Sequence, residues 1–193
     1  MKEHISKIEE NNAFELYKKV GGPILLESRG VNYKYDKTDI VVASSALEIT
    51  GSESGYRIKP TSQTGQELMP YFERIGGRVK NGCLEVYDTH ASNGLQTILD
   101  SIPCEHPFMG LYGAFGYDMV RQVANIGNRF SKGDTFKAVL PSNLFVFGEQ
   151  NEYVQLEVNG KKDEVVKKIR ISTLPISHLK IYLFKNMKMV LKK

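Results

Sequence analysis

Residues 78–87 contain Asn81-Gly82 between two strand-like arms. Asn-Gly is the strongest short-range signal for a β-hairpin, because both residues tolerate the positive φ angles of a two-residue turn. A second hairpin is predicted around residues 150–152, between apolar runs at 144–147 and 153–158. Since hairpins join strands that run in opposite directions, the sequence predicts a mostly antiparallel sheet.

Helical patterns are fewer than strand patterns. Apolar residues recur at helical spacing over residues 4–20, 63–75 and 92–102, and Pro70 is expected to kink the second helix or shift its start. Residues 40–49 predict one long or two short buried strands, and the segment 108–120 is apolar and rich in glycine. The predicted fold class is therefore α+β, a mostly antiparallel sheet with flanking helices.

Composition indicates an ordinary globular protein of 193 residues, with 41% hydrophobic residues and two cysteines. Two cysteines make no disulfide framework, which favours a reducing compartment. The N-terminal residues lead into no apolar signal segment, and no apolar run approaches the roughly 18 residues that a bilayer span needs. We therefore expect a cytoplasmic protein with no membrane partner.

The formal charge of +4 is unevenly distributed along the chain. Residues 161–193 contain ten lysines and arginines and two acids, whereas residues 1–160 contain 16 basic and 20 acidic residues. The basic character therefore belongs to the end of the chain and not to its body, so net charge gives no support for a nucleic-acid partner. A helix is expected to start at residues 163–170, and a cationic amphipathic helix is expected at residues 179–191.

A short apolar run ends in a carboxylate and a hydroxyl at Pro23-Ile24-Leu25-Leu26-Glu27-Ser28. Glycines and a proline precede the run, so it predicts a short buried strand. A carboxylate beside buried leucines needs a polar partner, because burying it alone costs free energy. Glu27 and Ser28 are therefore candidates for the polar end of an apolar pocket. The alternative is that Glu27 marks the point where the strand emerges into water.

Other patterns point to no catalytic apparatus. Gly110, Gly113 and Gly116 do not form a dinucleotide-binding fingerprint, and they indicate instead that a neighbouring backbone or side chain approaches closely. Cys104 and His106 supply two of the three or four ligands that a metal site needs, and the other histidines are scattered. We therefore expect no metal, no cofactor and no catalytic residue in this chain.

Four segments, in order, resemble the N-terminal domain of the anthranilate synthase large subunit. They are Leu25-Leu26-Glu27-Ser28, Ser44-Ser45-Ala46-Leu47-Glu48-Ile49, Gly113-Ala114-Phe115-Gly116-Tyr117-Asp118-Met119-Val120 and Leu140-Pro141-Ser142-Asn143-Leu144-Phe145. The resemblance assigns residues 1–170 to a domain of that kind and leaves residues 171–193 as a basic tail. Aminodeoxychorismate synthase shares much of the pattern and is the alternative family.

The resemblance implies a regulatory part of an enzyme of tryptophan biosynthesis. In the family, the large subunit converts chorismate to anthranilate, with magnesium and with ammonia from a glutamine amidotransferase partner. Its catalytic and magnesium residues lie in a C-terminal domain that nothing here resembles, so this chain alone is expected to be inactive. The N-terminal domain contributes to tryptophan feedback inhibition, which implies tryptophan-binding roles for Leu26, Glu27, Ser28 and Lys37.

The tail allows further alternatives. We favour a truncated or frame-shifted product over a basic helix that binds an anionic surface. A stand-alone amino-acid-binding module without catalysis is the second function class. A nucleic-acid or membrane binder that acts through residues 176–193 is a third and is disfavoured. Loss of a covering domain would also expose the apolar segment 108–120, so self-association is expected.

Overall fold

The computed structural model describes residues 1–28, 37–52, 54–87, 91–116, 134–164 and 171–172, and over these residues the protein is α+β. One curled antiparallel sheet contains all the described strands. The strands are β1 (Lys2–Ile8), β2 (Ile24–Leu26), β3 (Asp39–Ser52), β4 (Gly55–Pro60), β5 (Arg78–Lys80), β6 (Cys83–Tyr87), β7 (Tyr112–Phe115), β8 (Phe136–Phe147), β9 (Glu152–Val158), β10 (Lys161–Lys162) and β11 (Ile171–Ser172). The helices are α1 (Ala13–Val20), α2 (Gln63–Phe72) and α3 (Ala91–Ser101), and a 3₁₀ turn (Glu73–Ile75) follows α2. The predicted α+β class and antiparallel sheet are confirmed.

β3 and β8 form the centre of the sheet. They pair with each other along almost their full lengths, so residues 40–49 lie in one long strand and not two. The edge of β3 that faces away from β8 pairs with β2 near the start of β3 and with β4 near its end. The edge of β8 that faces away from β3 pairs with β7 near the start of β8 and with β9 near its end. The sheet continues outward to β1 and β11 on one side and to β6 and β5 on the other.

The central strands are buried on both faces. Val42 and Leu144 pack into the larger core cluster, which faces α2 and α3, while Val41 and Phe145 pack into a second cluster with Leu16 of α1. Side chains alternate between the two faces of a strand, so a strand covered on both faces needs apolar residues at consecutive positions. The unbroken apolar runs in β3 and β8 meet this need.

The two predicted hairpins are confirmed. β5 and β6 are joined by Asn81 and Gly82, whose φ angles are 51° and 72°. These positive values are the geometry that an Asn-Gly turn provides at little steric cost. β8 and β9 form the second hairpin, with Phe145 opposite Tyr153 and their rings stacked 4.8 Å apart.

The curled sheet wraps around α2. This helix contacts β3, β4, β9 and β10, and the side chains of Leu68 and Phe72 are fully buried. The hydroxyl of Ser62 caps the helix by accepting a hydrogen bond from the Gly65 N–H at 3.2 Å. The helix begins at Gln63, so the expected shift of its start by Pro70 is wrong. Pro70 lies in the last turn, where the helix tightens into the 3₁₀ turn.

The predicted helix over residues 4–20 is correct only in its second half. Residues Lys2–Ile8 form β1, which pairs with β9, and α1 occupies only Ala13–Val20. The hydrogen bonds to β9 decide the conformation of β1. Ile5 packs against the larger core cluster and Ile8 packs into the second cluster, so their spacing places them on opposite faces of the strand and not on one helical face. The predicted helix end at Gly21 is confirmed, because Gly21 has φ 67° and its N–H bonds to the Tyr17 carbonyl.

Part of the glycine-rich segment forms β7, an edge strand whose Phe115 is 53% exposed. Its residues 117–120 lie outside the described part of the chain. The predicted helices at 163–170 and 179–191 fall almost wholly outside it as well. Self-association through β7 stays a prediction. Among the described residues, no helix has both the length and the apolar character needed to cross a membrane.

We predict that Gly65→Ala destabilises the fold, although alanine normally favours a helix over glycine by about 1 kcal/mol. A Cβ at Gly65 would lie 1.9 Å from the carbonyl oxygen of Ala46, which is backbone in the central strand β3. The expected loss in unfolding free energy is about 1–3 kcal/mol, the range for overpacking. Urea denaturation measures it. Gly110→Ala is the control, since nothing lies within 4 Å of its Cβ position. A stabilised Gly65→Ala variant would contradict the packing of α2 against β3.

Candidate functional site

β2 is an edge strand and not the buried strand that its sequence predicts. It pairs with β3, with Leu25 opposite Val41 and Leu26 opposite Ile40. Leu25 packs against the α1 cluster, but Leu26 is 47% exposed. Glycine and proline signals predict where a strand begins, but not how many neighbours it has. Leu26 therefore presents an apolar surface at the margin of the sheet.

Ser28, two residues after the end of β2, is bonded to the residues at the start of β3. Its hydroxyl donates to the Thr38 carbonyl at 2.6 Å, and its backbone N–H donates to Oδ1 of Asp39 at 2.7 Å. These two bonds fix Ser28 against the start of β3. Because the hydroxyl proton is engaged, Ser28 has only acceptor capacity left for a ligand.

The four predicted site residues lie on two neighbouring segments. Glu27 is partly buried and directly precedes Ser28, and Lys37 is exposed and directly precedes Thr38, the residue that Ser28 contacts. The structure thus brings the end of β2 and the residues before β3 together. Thr38 and Asp39 are part of this arrangement, although neither was predicted from the sequence. The sequence feature that could have indicated Asp39 is its carboxylate directly before an apolar run.

A cleft that the described residues form lies at the opposite end of β2, away from Ser28. It has a volume of about 830 Å³, and its walls come from the residues before β2, from the middle of β3, from the start of α2 and from the residues after β9. The pairing register of β3 with β8 shifts three times between Val42 and Leu47. Bulges of this kind redirect side chains at a sheet edge. Here they leave Ser44 and Ser45 in the cleft wall, between the start of β2 and the end of β4.

A buried hydrogen-bond network lies beneath Ser44, centred on Asn143, which is 1% exposed. Asn143 Nδ2 donates to Ser44 Oγ at 2.6 Å and to the Asp163 carbonyl at 3.3 Å. Asn143 Oδ1 accepts from the Tyr153 hydroxyl at 2.5 Å and from Gln155 Nε2 at 3.3 Å. Both donors and both acceptor positions of the amide are therefore used, which is the condition under which a buried polar network is stable.

The protonation state of Tyr153 agrees with its role as a donor. Burial, followed by the negative charge of Asp163, raises the pKa of the Tyr153 hydroxyl above its ordinary value. The phenol therefore keeps its proton at neutral pH and can donate it to Asn143. This network was not predicted from the sequence. The sequence feature that could have indicated it is the polar pair Ser142-Asn143 inside the apolar strand β8.

Cys104 and His106 lie in a segment that hydrogen bonds attach to β1. Glu3 Oε2 accepts from the backbone N–H groups of Glu105 and His106 at 3.1 and 2.8 Å, which ties this loop to β1. The buried His106 ring lies 3.3 Å from Glu152 Oε2 through Nε2. Burial, together with the charge of Glu3, raises the pKa of the Cys104 thiol, which makes it a poor nucleophile.

Within the described ranges, no group of three or more histidine, cysteine, aspartate or glutamate residues could hold a metal ion. The predicted role of the glycine-rich segment is confirmed at one position. A Cβ at Gly113 would lie 2.1 Å from the Lys137 carbonyl oxygen, so glycine there permits the close approach of β8. Gly110 has no such neighbour within 4 Å.

Comparison with known proteins does not extend these observations. No protein-family model matches the chain, and no curated protein matches it. The resemblance to the anthranilate synthase large subunit therefore stays a prediction. The function that this resemblance implies is a proposal.

We predict that Ser28→Ala lowers the unfolding free energy by about 1 kcal/mol, because it removes a neutral hydrogen bond to the Thr38 carbonyl. The expected local effect is faster hydrogen exchange at the amides of residues 38–40. Chemical denaturation and amide exchange measure the two effects. Ser54→Ala is the control, since Ser54 is exposed in the turn between β3 and β4. Unchanged exchange at residues 38–40 would show that the hydroxyl does not hold the start of β3 in place.

Proposed function

We propose that the chain is the N-terminal regulatory part of an anthranilate synthase large subunit and carries part of a tryptophan feedback site. Leu26, Glu27, Ser28 and Lys37 form the part of the site that this chain contributes. Catalysis, magnesium and the glutamine amidotransferase partner belong, in this proposal, to the full-length enzyme. The alternative is the corresponding part of an aminodeoxychorismate synthase.

The placement of the four resembling segments supports the proposal. They are far apart in the sequence, but they fall on β2, β3, β8 and, for residues 113–115, β7. β2 pairs with β3, β3 with β8 and β8 with β7, so the four segments lie on consecutive strands of one sheet. Segments that lie on neighbouring strands of one sheet are what a shared domain architecture requires.

The observation that supports an amino-acid ligand is the exposed side chain of Leu26 beside Glu27 and Ser28. A leucine that is 47% exposed at the free margin of β2 offers one apolar wall, and the adjacent carboxylate offers an acceptor for an ammonium group. Ser28 Oγ adds a second acceptor, because its proton is given to Thr38. An amino acid with a large apolar side chain fits this combination. With one wall present, less of the ligand is buried, so binding to this chain is expected to be weak.

We predict that Glu27→Ala weakens tryptophan binding by roughly ten- to a hundred-fold, because it removes a charge-assisted hydrogen bond worth about 1.5–3 kcal/mol. Titration calorimetry, or amide chemical shifts where binding is weak, measures the affinity. Ser28→Ala is expected to lose less, about 1 kcal/mol, as a neutral hydrogen bond.

Indole is the matched ligand control, since it lacks the ammonium group that Glu27 is proposed to bind. Its affinity should be the same for the wild type and for Glu27→Ala. Glu9→Ala is the matched protein control, because Glu9 is an exposed glutamate between β1 and α1. Equal tryptophan affinity for the wild type and a folded Glu27→Ala variant would remove Glu27 from the site.

A further inference from the structure

We propose that the cleft between β2, the bulge of β3 and the start of α2 is a second binding site, which takes a small molecule through an ammonium group and a neighbouring oxygen. The cleft lies at the end of β2 away from Glu27 and Ser28. Its volume of about 830 Å³ falls in the range of small-molecule sites. The proposal does not depend on the tryptophan site.

Asp163 supplies the acceptor for the ammonium group. Its Oδ1 accepts from the Thr64 N–H in the first turn of α2 at 3.3 Å. Its Oδ2 is shielded from solvent, and no hydrogen-bond partner is found for it in the described structure. A buried carboxylate oxygen without a partner costs free energy. Because the Asp163 side chain is partly exposed at the cleft, a small rotation of its carboxylate would let a ligand N–H group reach Oδ2 and remove that cost. Asp163 itself lines the cleft.

The charge of the cleft favours a cation. Three charged residues line it, namely Lys162, Asp163 and Glu164. The ammonium of Lys162 is held 3.0 Å from Glu157, whose carboxyl pKa is lowered by hydrogen bonds from Lys162 and His4. Since Glu157 compensates Lys162, the charge that remains for a ligand is that of the two acids. An ammonium group is therefore favoured over a lone anion.

Ser44 supplies a donor for the neighbouring oxygen. Ser44 Oγ accepts from Asn143 Nδ2 and lies 2.7 Å from the hydroxyl of Ser142, which is fully buried. When Ser142 donates its proton to Ser44, both lone pairs of Ser44 are used and its own O–H is directed into the cleft. Asn143 Nδ2 also contacts the Asp163 carbonyl, so one buried amide fixes both sides of the site. A ligand group held by such a supported hydroxyl needs little reorganisation.

The test is a titration of the full chain with ethanolamine, which carries an ammonium group and one hydroxyl, followed by amide chemical shifts. We expect saturable shifts at Ser44 and at Thr64, whose N–H bonds to Asp163. Asp163→Asn keeps the shape of the side chain and removes its charge, and it should weaken binding by roughly ten- to a hundred-fold. Ser44→Ala should weaken binding by roughly five-fold. Asp134→Asn is the matched control, because Asp134 is an exposed aspartate outside the cleft, and it should bind like the wild type.

The outcomes separate the two proposed sites. Ethylene glycol lacks the ammonium group and should give no saturable shifts. Glu27→Ala should leave ethanolamine binding unchanged, so failure of the tryptophan site does not affect this result. Absence of saturable shifts, equal binding by the wild type and a folded Asp163→Asn variant, or equal weakening in Asp134→Asn would each overturn the proposal. Circular dichroism of each variant checks the fold.

Discussion

β3 and β8 pair from Asp39 opposite Phe147 to Gly51 opposite Phe136, and the rest of the sheet is built on their two remaining edges. Each of these edges is divided between two shorter strands. Where one partner ends and the next begins, the central strands carry polar residues in place of the apolar ones that the faces require. Ser44 and Ser45 occupy this position on β3, and Ser142 and Asn143 occupy it on β8. The cleft is thus a direct result of how the two long strands share their partners.

The buried polar residues at this change of partner must satisfy one another. A neutral hydrogen bond contributes about 1 kcal/mol net, whereas a buried group left without a partner costs about 1–3 kcal/mol. Asn143 uses all four of its positions within the protein, and Ser44 is left with one proton that can be directed outward. The network therefore stabilises the fold and at the same time fixes a hydroxyl at the surface. A group held in this way is suited to recognition, because its orientation is set before a ligand arrives.

Local chemistry made part of this structure predictable, and long-range contacts decided the rest. Asn81-Gly82 specifies its own turn, and Gly21 its own helix end, so both features could be located from sequence. The strand conformation of Lys2–Ile8 depends on its pairing with β9, and nothing in the sequence of the segment indicates that partner. Leu26, Glu27 and Ser28 could be named as a group, but the contacts of Ser28 with Thr38 and Asp39 join residues about ten positions apart and arise only in the folded protein. The cleft was missed because its serines are separated from Asn143 and Asp163 by about a hundred residues.

The position of β1 in the sheet has a consequence for how the protein is made. His4 of β1 bonds to Glu157 of β9, a separation of 153 residues along the chain, and Ser44 of β3 bonds to Ser142 of β8 across 98 residues. Sheets built on such distant pairs fold slowly, because loop entropy is lost before the contacts form. During synthesis, β1 and the first half of the central pair leave the ribosome long before their partners exist. For most of its translation the chain therefore carries unpaired strand edges, the kind of surface that chaperones protect.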